Sequence, residues 1–185
     1  MRLLLFSFLL ISGTSVTPAA VIEIRTHAEL KAVQAKPVAG DVWKIHPGEY
    51  PGHNHVAGVE KLTIEAADPK NPPLFQGGTL AWQFSRCPGL TLRHLACRGQ
   101  TDNGFNFDDG GPAKGDVAGI SLENLTVRDI GPDGNFDGIK CSGLSDLTIR
   151  DCTIHGWGGQ AIDLVGCHRV VISGCRFLGK PGFSQ

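Results

Sequence analysis

The chain has 185 residues and a formal net charge of −1 at pH 7, with 41% hydrophobic and 19% charged residues, which is enough for one domain with a buried core. The near-balance of charge, without a basic patch, argues against nucleic acid as a partner. Twenty-five glycines and eleven prolines demand many turns, and a single Met and a single Tyr leave the core to Val, Ile, Leu and Phe, which favours strands over helices.

Met1-Arg2, an apolar run from Leu3 to Ile11 and small residues up to Ala20 have the anatomy of a signal peptide. This predicts a leader over 1–20, cleaved after Ala19 or Ala20, and a secreted or periplasmic protein whose one domain is 21–185. The apolar run is too short to span a bilayer, and no other segment is long enough to do so.

Val21–Ile24 alternates in the manner of a half-buried strand. Thr26 and Glu29 form a capping box that opens a helix over 27–36, which Pro37 stops. Val42 to Ile45 is a strand, and Pro47-Gly48-Glu49-Tyr50 a tight turn. Strand starts then recur at Val42, Leu62, Leu90, Ile120, Leu147 and Val170, roughly every 20–30 residues, with no helices between them, which is the signature of a solenoid.

Four of these coils, LTLRHLAC, ISLENLTV, LTIRDCTI and VVISGCRF, superpose without gaps. Their fifth position holds His94, Asn124, Asp151 and Gly174, residue types that tolerate the left-handed backbone region. A single left-handed residue that bends one strand into the next accounts for this column. The prediction is an all-β chain: a right-handed parallel β-helix of about five coils, capped by the N-terminal helix. The same alignment puts Leu95, Leu125, Cys152 and Cys175 in one inward column and Cys97, Val127, Ile154 and Phe177 in the next. Cysteine there replaces an aliphatic side chain. Rungs ~4.8 Å apart hold Cβ atoms farther apart than the ~3.8 Å that a disulfide prefers, so Cys97, Cys152 and Cys175 are expected to be buried free thiols.

The opening AELKAVQAKPVAGDVWKIHPGEY resembles the start of pectin-lyase-like proteins, in which a capping helix precedes a Gly-Asp turn, a strand and a Pro-Gly-x-Tyr turn. With the repeats, the resemblance covers nearly all of 21–185 and implies the parallel β-helix fold. The last coil lacks its third run and a polar cap before Gln185, so the chain is expected to be the N-terminal part of a longer protein, monomeric at full length.

The third runs, Phe105–Phe107, Ile139–Cys141 and Ile162–Leu164, align. Their middle residues Asn106, Lys140 and Asp163 should form an outward polar ladder, with Asp108 and Ser142 beside it. Gly104, Gly138 and Ala161, one residue earlier, are expected to make a flat outward floor. Such a groove suits an extended sugar chain, on which Trp157 would stack.

Lys140 followed by Ser142 resembles the Lys-x-Ser segment of alginate and chondroitin lyases. The resemblance implies β-elimination on a uronate-containing glycan with Lys140 as the base; Asp137 is the second candidate catalytic residue, and Asn106, Asp108, Trp157 and Asp163 on the face of the third runs are expected to bind substrate. Those enzymes carry an Arg one coil on, where this chain has Asp163, and Asp137 and Asp163 would raise the Lys140 pKa where a base needs it lowered. Asn135-Phe-Asp137-Gly-Ile resembles the Asn-Thr-Asp-Gly motif of polygalacturonases, but Gly159-Gln160 stands where they have an Asp-Asp pair. The alternative to both is a non-catalytic carbohydrate-binding or structural β-helix. Asp108-Asp109 with Asp137 offers oxygen ligands of the kind Ca²⁺ takes, and His53, His55 and His46 are the candidate Zn²⁺ set.

Overall fold

The computed structural model describes residues 19–111, 117–131 and 134–181. All but the last two residues of the expected leader lie outside this range.

Short strands, all paired in parallel, stack into three sheets. The first sheet runs through Val21–Ile24, Val42–Ile45, Thr63–Ala66, Thr91–Arg93, Ser121–Glu123, Leu144–Arg150 and His168–Ser173, with the two-residue Val117–Ala118 also paired to Leu144–Arg150. The second holds Glu49–Pro51, Leu74–Gln76, Ala96–Arg98, Thr126–Arg128, Thr153–His155 and Arg176–Leu178. The third holds Asn54–Ala57, Trp82–Ser85, Phe105–Asp108, Ile139–Ser142 and Ile162–Val165. The chain visits the three in turn, and each circuit stacks on the one before. This is the expected parallel β-helix.

The left-handed column stands at the corner between the first and second sheets: φ is 53° at His94, 53° at Asn124, 55° at Asp151 and 64° at Gly174. Three of the four bends keep a backbone hydrogen bond to the next coil. The His94 amide donates to the Glu123 carbonyl at 3.0 Å, Asn124 to Arg150 at 3.0 Å and Asp151 to Ser173 at 2.9 Å. At these three bends the amide of the left-handed residue is paired with the next coil. Three further left-handed columns are not evident from the sequence. Lys61, Gly89, Gly119, Asp146 and Arg169 enter the first sheet, Gly77, Gly99, Asp129 and Gly156 leave the second, and Gly58, Arg86, Gly143 and Gly166 leave the third. Lys61 and Arg169 disguise the first of them, because neither type advertises a positive φ.

The interior is a set of stacked apolar rows. Ile64, Leu92, Leu122 and Ile149 pair rung to rung and are fully buried. Phe84 and Phe107 stack at 5.2 Å and 10° on successive coils, and Trp82 stacks on Phe84 at 5.2 Å and 6°. All six cysteines are free thiols. Cys97 and Cys152 are buried as expected. Cys175 is only half-buried, because among the described residues no further rung lies over it. Burial pushes the Cys152 thiol up to about 12, and the Cys97 thiol also far above the ordinary range.

The capping helix spans His27–Gln34, two residues shorter than expected. Ala35 is its C-cap, and the Lys36 amide closes the end on Val33 O. The capping box is complete: Thr26 Oγ1 accepts from the Glu29 amide at 3.2 Å, and Glu29 Oε2 accepts from the Thr26 amide at 3.1 Å. Leu30 is fully buried by the helix and packs into the core.

The outer face of the first sheet carries a row in strict register: Glu23, Lys44, Glu65, Arg93, Glu123, Arg150. Signs alternate along it. Ion pairs join Lys44 to Glu65 (3.9 Å), Arg93 to Glu65 (3.7 Å) and to Glu123 (3.0 Å), and Arg150 to Glu123 (2.9 Å). Burial works to raise the Glu123 pKa, but hydrogen bonds from Arg150, Ser121 and Arg93 outweigh it and keep the carboxyl below its usual value.

Candidate functional site

Parallel pairing without slip places one residue of each third-sheet strand directly beside its equivalent on the next coil. Asn106 lies opposite Lys140, and Lys140 opposite Asp163, as the alignment predicts. The row continues to Gln83 and His55 on the preceding coils, two positions not anticipated from sequence. Their strands alternate too, and only the comparison of the third runs with WQFS and NHVA would have revealed them. A second outward row, two residues on, is Ala57, Ser85, Asp108, Ser142 and Val165.

Hydrogen bonds run along and between the rows. Asn106 Nδ2 donates to Gln83 Oε1 at 2.6 Å, while Asn106 Oδ1 is buried and has no partner among the described residues. Gln83 Nε2 donates to Asp108 Oδ2 at 2.6 Å, and Ser85 Oγ to the same oxygen at 3.2 Å. Asp108 thus orients Gln83. Beside it an open depression of about 580 Å³ is lined by His55, Ser85, Arg86, Asp108, Asp109 and Ser142.

Lys140 Nζ donates to Asp163 Oδ2 at 2.5 Å and to Asp137 Oδ2 at 3.1 Å. Its side chain is 24% exposed, that of Asp163 20% and that of Asp137 0%. Partial burial works to lower the ammonium pKa. The hydrogen bonds and charges of Asp163 and Asp137 more than reverse this, so the pKa ends above the ordinary lysine value. The direction is the expected one, and it favours Lys140 as a cation.

Asp137 is a buried strut. Its Oδ1 accepts from the Gln160 amide at 2.8 Å, and its own amide donates to Asn103 Oδ1 at 2.7 Å. It ties three coils together at the corner that leads into the third sheet. A role in direct contact with a bound chain does not fit a side chain with no exposed surface.

Three expectations are corrected here. Gly104 and Gly138 do not form an outward floor. Both are buried at the corner, where a Cβ on Gly138 would lie 2.6 Å from the Ala161 carbonyl oxygen and 2.6 Å from Ile154 Cγ2. Ala161 packs against the core. Alternation changes phase at the corner, so the residue before each strand points inward along with the strand's first residue. Trp157 is 7% exposed and belongs to the core cluster, so it offers no face to a sugar. Among the described residues, no three His, Cys, Asp or Glu side chains gather in a metal-binding group. In the Ca²⁺ set, Asp137 turns to Lys140 and Gln160 while Asp108 turns to Gln83 and Ser85; in the Zn²⁺ set, His46 pairs with Glu23 and His53 with Thr79.

No protein-family model and no curated protein matches the chain. Among solved structures it is similar to an alginate lyase from Paenibacillus sp. str. FPU-7, with 13% identity and a TM-score of 0.47, over 86% of this chain and 76% of that one. No helix among the described residues is long and apolar enough to cross a membrane.

Proposed function

We propose that the protein is exported and binds an extended polysaccharide across the coils of its third sheet, and that its site is a binding face before it is a catalytic one. The observation that carries this is the five-rung row His55, Gln83, Asn106, Lys140, Asp163, held in register and hydrogen-bonded between Gln83 and Asn106 and between Lys140 and Asp163. Rungs ~4.8 Å apart present polar groups at close to the advance of an extended pyranose chain, so successive sugars meet equivalent positions. Acidic side chains at the face (Asp108, Asp109 and Asp163) outnumber the basic ones, Arg86 and Lys140. The match is to a chain that presents hydroxyls along most of its length, with one carboxylate opposite the unused N–H of Lys140.

Cleavage by β-elimination is the second reading. What favours it is that Lys140 and Ser142 do project together from one strand, as the lyase resemblance requires. A base role for Lys140 runs against its two carboxylate partners, which stabilise the protonated form. A panel of alginate, pectate, glycosaminoglycans and a neutral glucan, followed both by binding and by ultraviolet absorbance of a new double bond, separates the two. The binding reading expects Lys140→Ala to weaken uronate binding by about 1–3 kcal/mol, with no unsaturated product from the wild type. Unsaturated product that Lys140→Ala abolishes while binding persists would establish the lyase. A wild type that neither binds nor cleaves any of these would overturn both.

A further inference from the structure

The outer face of the second sheet carries a charge pattern unlike the rest of the molecule. One outward row is Leu74, Ala96, Thr126, Thr153 and the next, two residues on, is Gln76, Arg98, Arg128, His155. Arg98 and Arg128 are direct neighbours on adjacent rungs. Like charges directly opposite one another destabilise a sheet, and the first sheet of this same chain avoids them at every rung from Glu23 to Arg150. Only Arg98 has an acidic partner, Asp129 at 3.1 Å, and that pair is exposed. Arg128 has none among the described residues. Arg98 and Arg128 both line a depression of about 460 Å³ whose other lining includes Asn71, Pro72, Leu74 and Thr126.

We propose that this depression is a second binding site, on a different sheet from the polar row, and that it takes an acidic saccharide bearing carboxylate or sulfate groups. The half-buried side chains Pro72, Leu74 and Thr126 accept the C–H face of a pyranose ring. Arg98 and Arg128 then lie to one side, where a planar fork of N–H donors meets an anionic substituent. The rung spacing again matches successive sugars, so an oligomer engages both arginines at once. The outward rows carry no Trp, Tyr or Phe on which a base would stack, which selects saccharide over single-stranded nucleic acid. This site does not depend on the function proposed for the third sheet.

The test is calorimetric titration at low salt of the wild type, Arg98→Ala/Arg128→Ala, and Lys140→Ala, with an oligogalacturonate, a heparin-derived oligosaccharide, a neutral cello-oligosaccharide and a single-stranded DNA oligomer as probes. The result expected is binding of at least one acidic oligosaccharide that weakens with added salt and is reduced at least about tenfold in the double variant, the loss of one charge-assisted hydrogen bond or more. Lys140→Ala should leave that component unchanged, which keeps it distinct from the third-sheet site. Galacturonate binding without heparin binding, or the reverse, identifies carboxylate or sulfate as the group read. Both arginines are exposed and like-charged, so the double variant should melt no lower than the wild type. No binding of either acidic probe, binding indifferent to the double variant, or equal binding of the neutral or DNA probe would overturn the proposal.

Discussion

Lys140 sits between two carboxylates of different standing, a fully buried Asp137 and a partly exposed Asp163. Its pKa is raised in the folded state, so its contribution to stability is complete below the unfolded value of about 10.4 and is lost as pH rises through the folded value. Thermal melts across the alkaline range should therefore fall more steeply for the wild type than for Lys140→Ala. Asp137→Asn keeps an acceptor for the Gln160 amide but removes a charge, and the Lys140 ammonium should titrate at lower pH, as read by NMR. Thiol labelling of the native protein should reach Cys167 and Cys175 before Cys87, Cys97, Cys141 and Cys152. The Lys140–Asp163 contact was legible in the sequence because parallel register follows from aligning the coils. The burial of Asp137 and Trp157 was not. Each is flanked by glycine in a turn, a pattern that suggests exposure, and only the inward path of those turns puts them under cover.

Most strands in this fold are three or four residues long, so the corners matter as much as the strand interiors. The corner at His94, Asn124 and Asp151 was legible because its residue types recur at one offset. The glycines at the opposite corner were misassigned because alternation was carried one residue past the point where its phase changes. Their real constraint is space. Gly138→Ala would press a methyl group against the Ala161 carbonyl and Ile154, and should cost about 1–3 kcal/mol by urea denaturation. Asn124 is constrained by backbone shape instead, at φ 53°. Asn124→Ala should cost about 1–2 kcal/mol, while Asn124→Gly should be close to neutral. Equal losses for the two Asn124 variants would mean that the side chain, not the conformation, is what matters there.

Each coil rests only on its neighbours, so stability is expected to vary along the stack. In the last described coil, Leu164, Val165, Val171, Ile172, Phe177 and Leu178 are exposed, Phe177 by 47%. Amides of Ile162–Leu178 should exchange with solvent faster than those of Trp82–Ile154, measured by hydrogen exchange under native conditions. Uniform protection across both would show that the molecule opens as one unit. Near-identical rungs raise a further difficulty, because a strand that skipped one coil while folding would still find apolar partners inside. Outside, it would not go unnoticed. A skip by one coil would set Lys44 beside Arg93, Glu65 beside Glu123 and Arg93 beside Arg150, turning each attraction along the first sheet into a repulsion. The alternating row thus acts as a parity check on the order in which the coils are stacked.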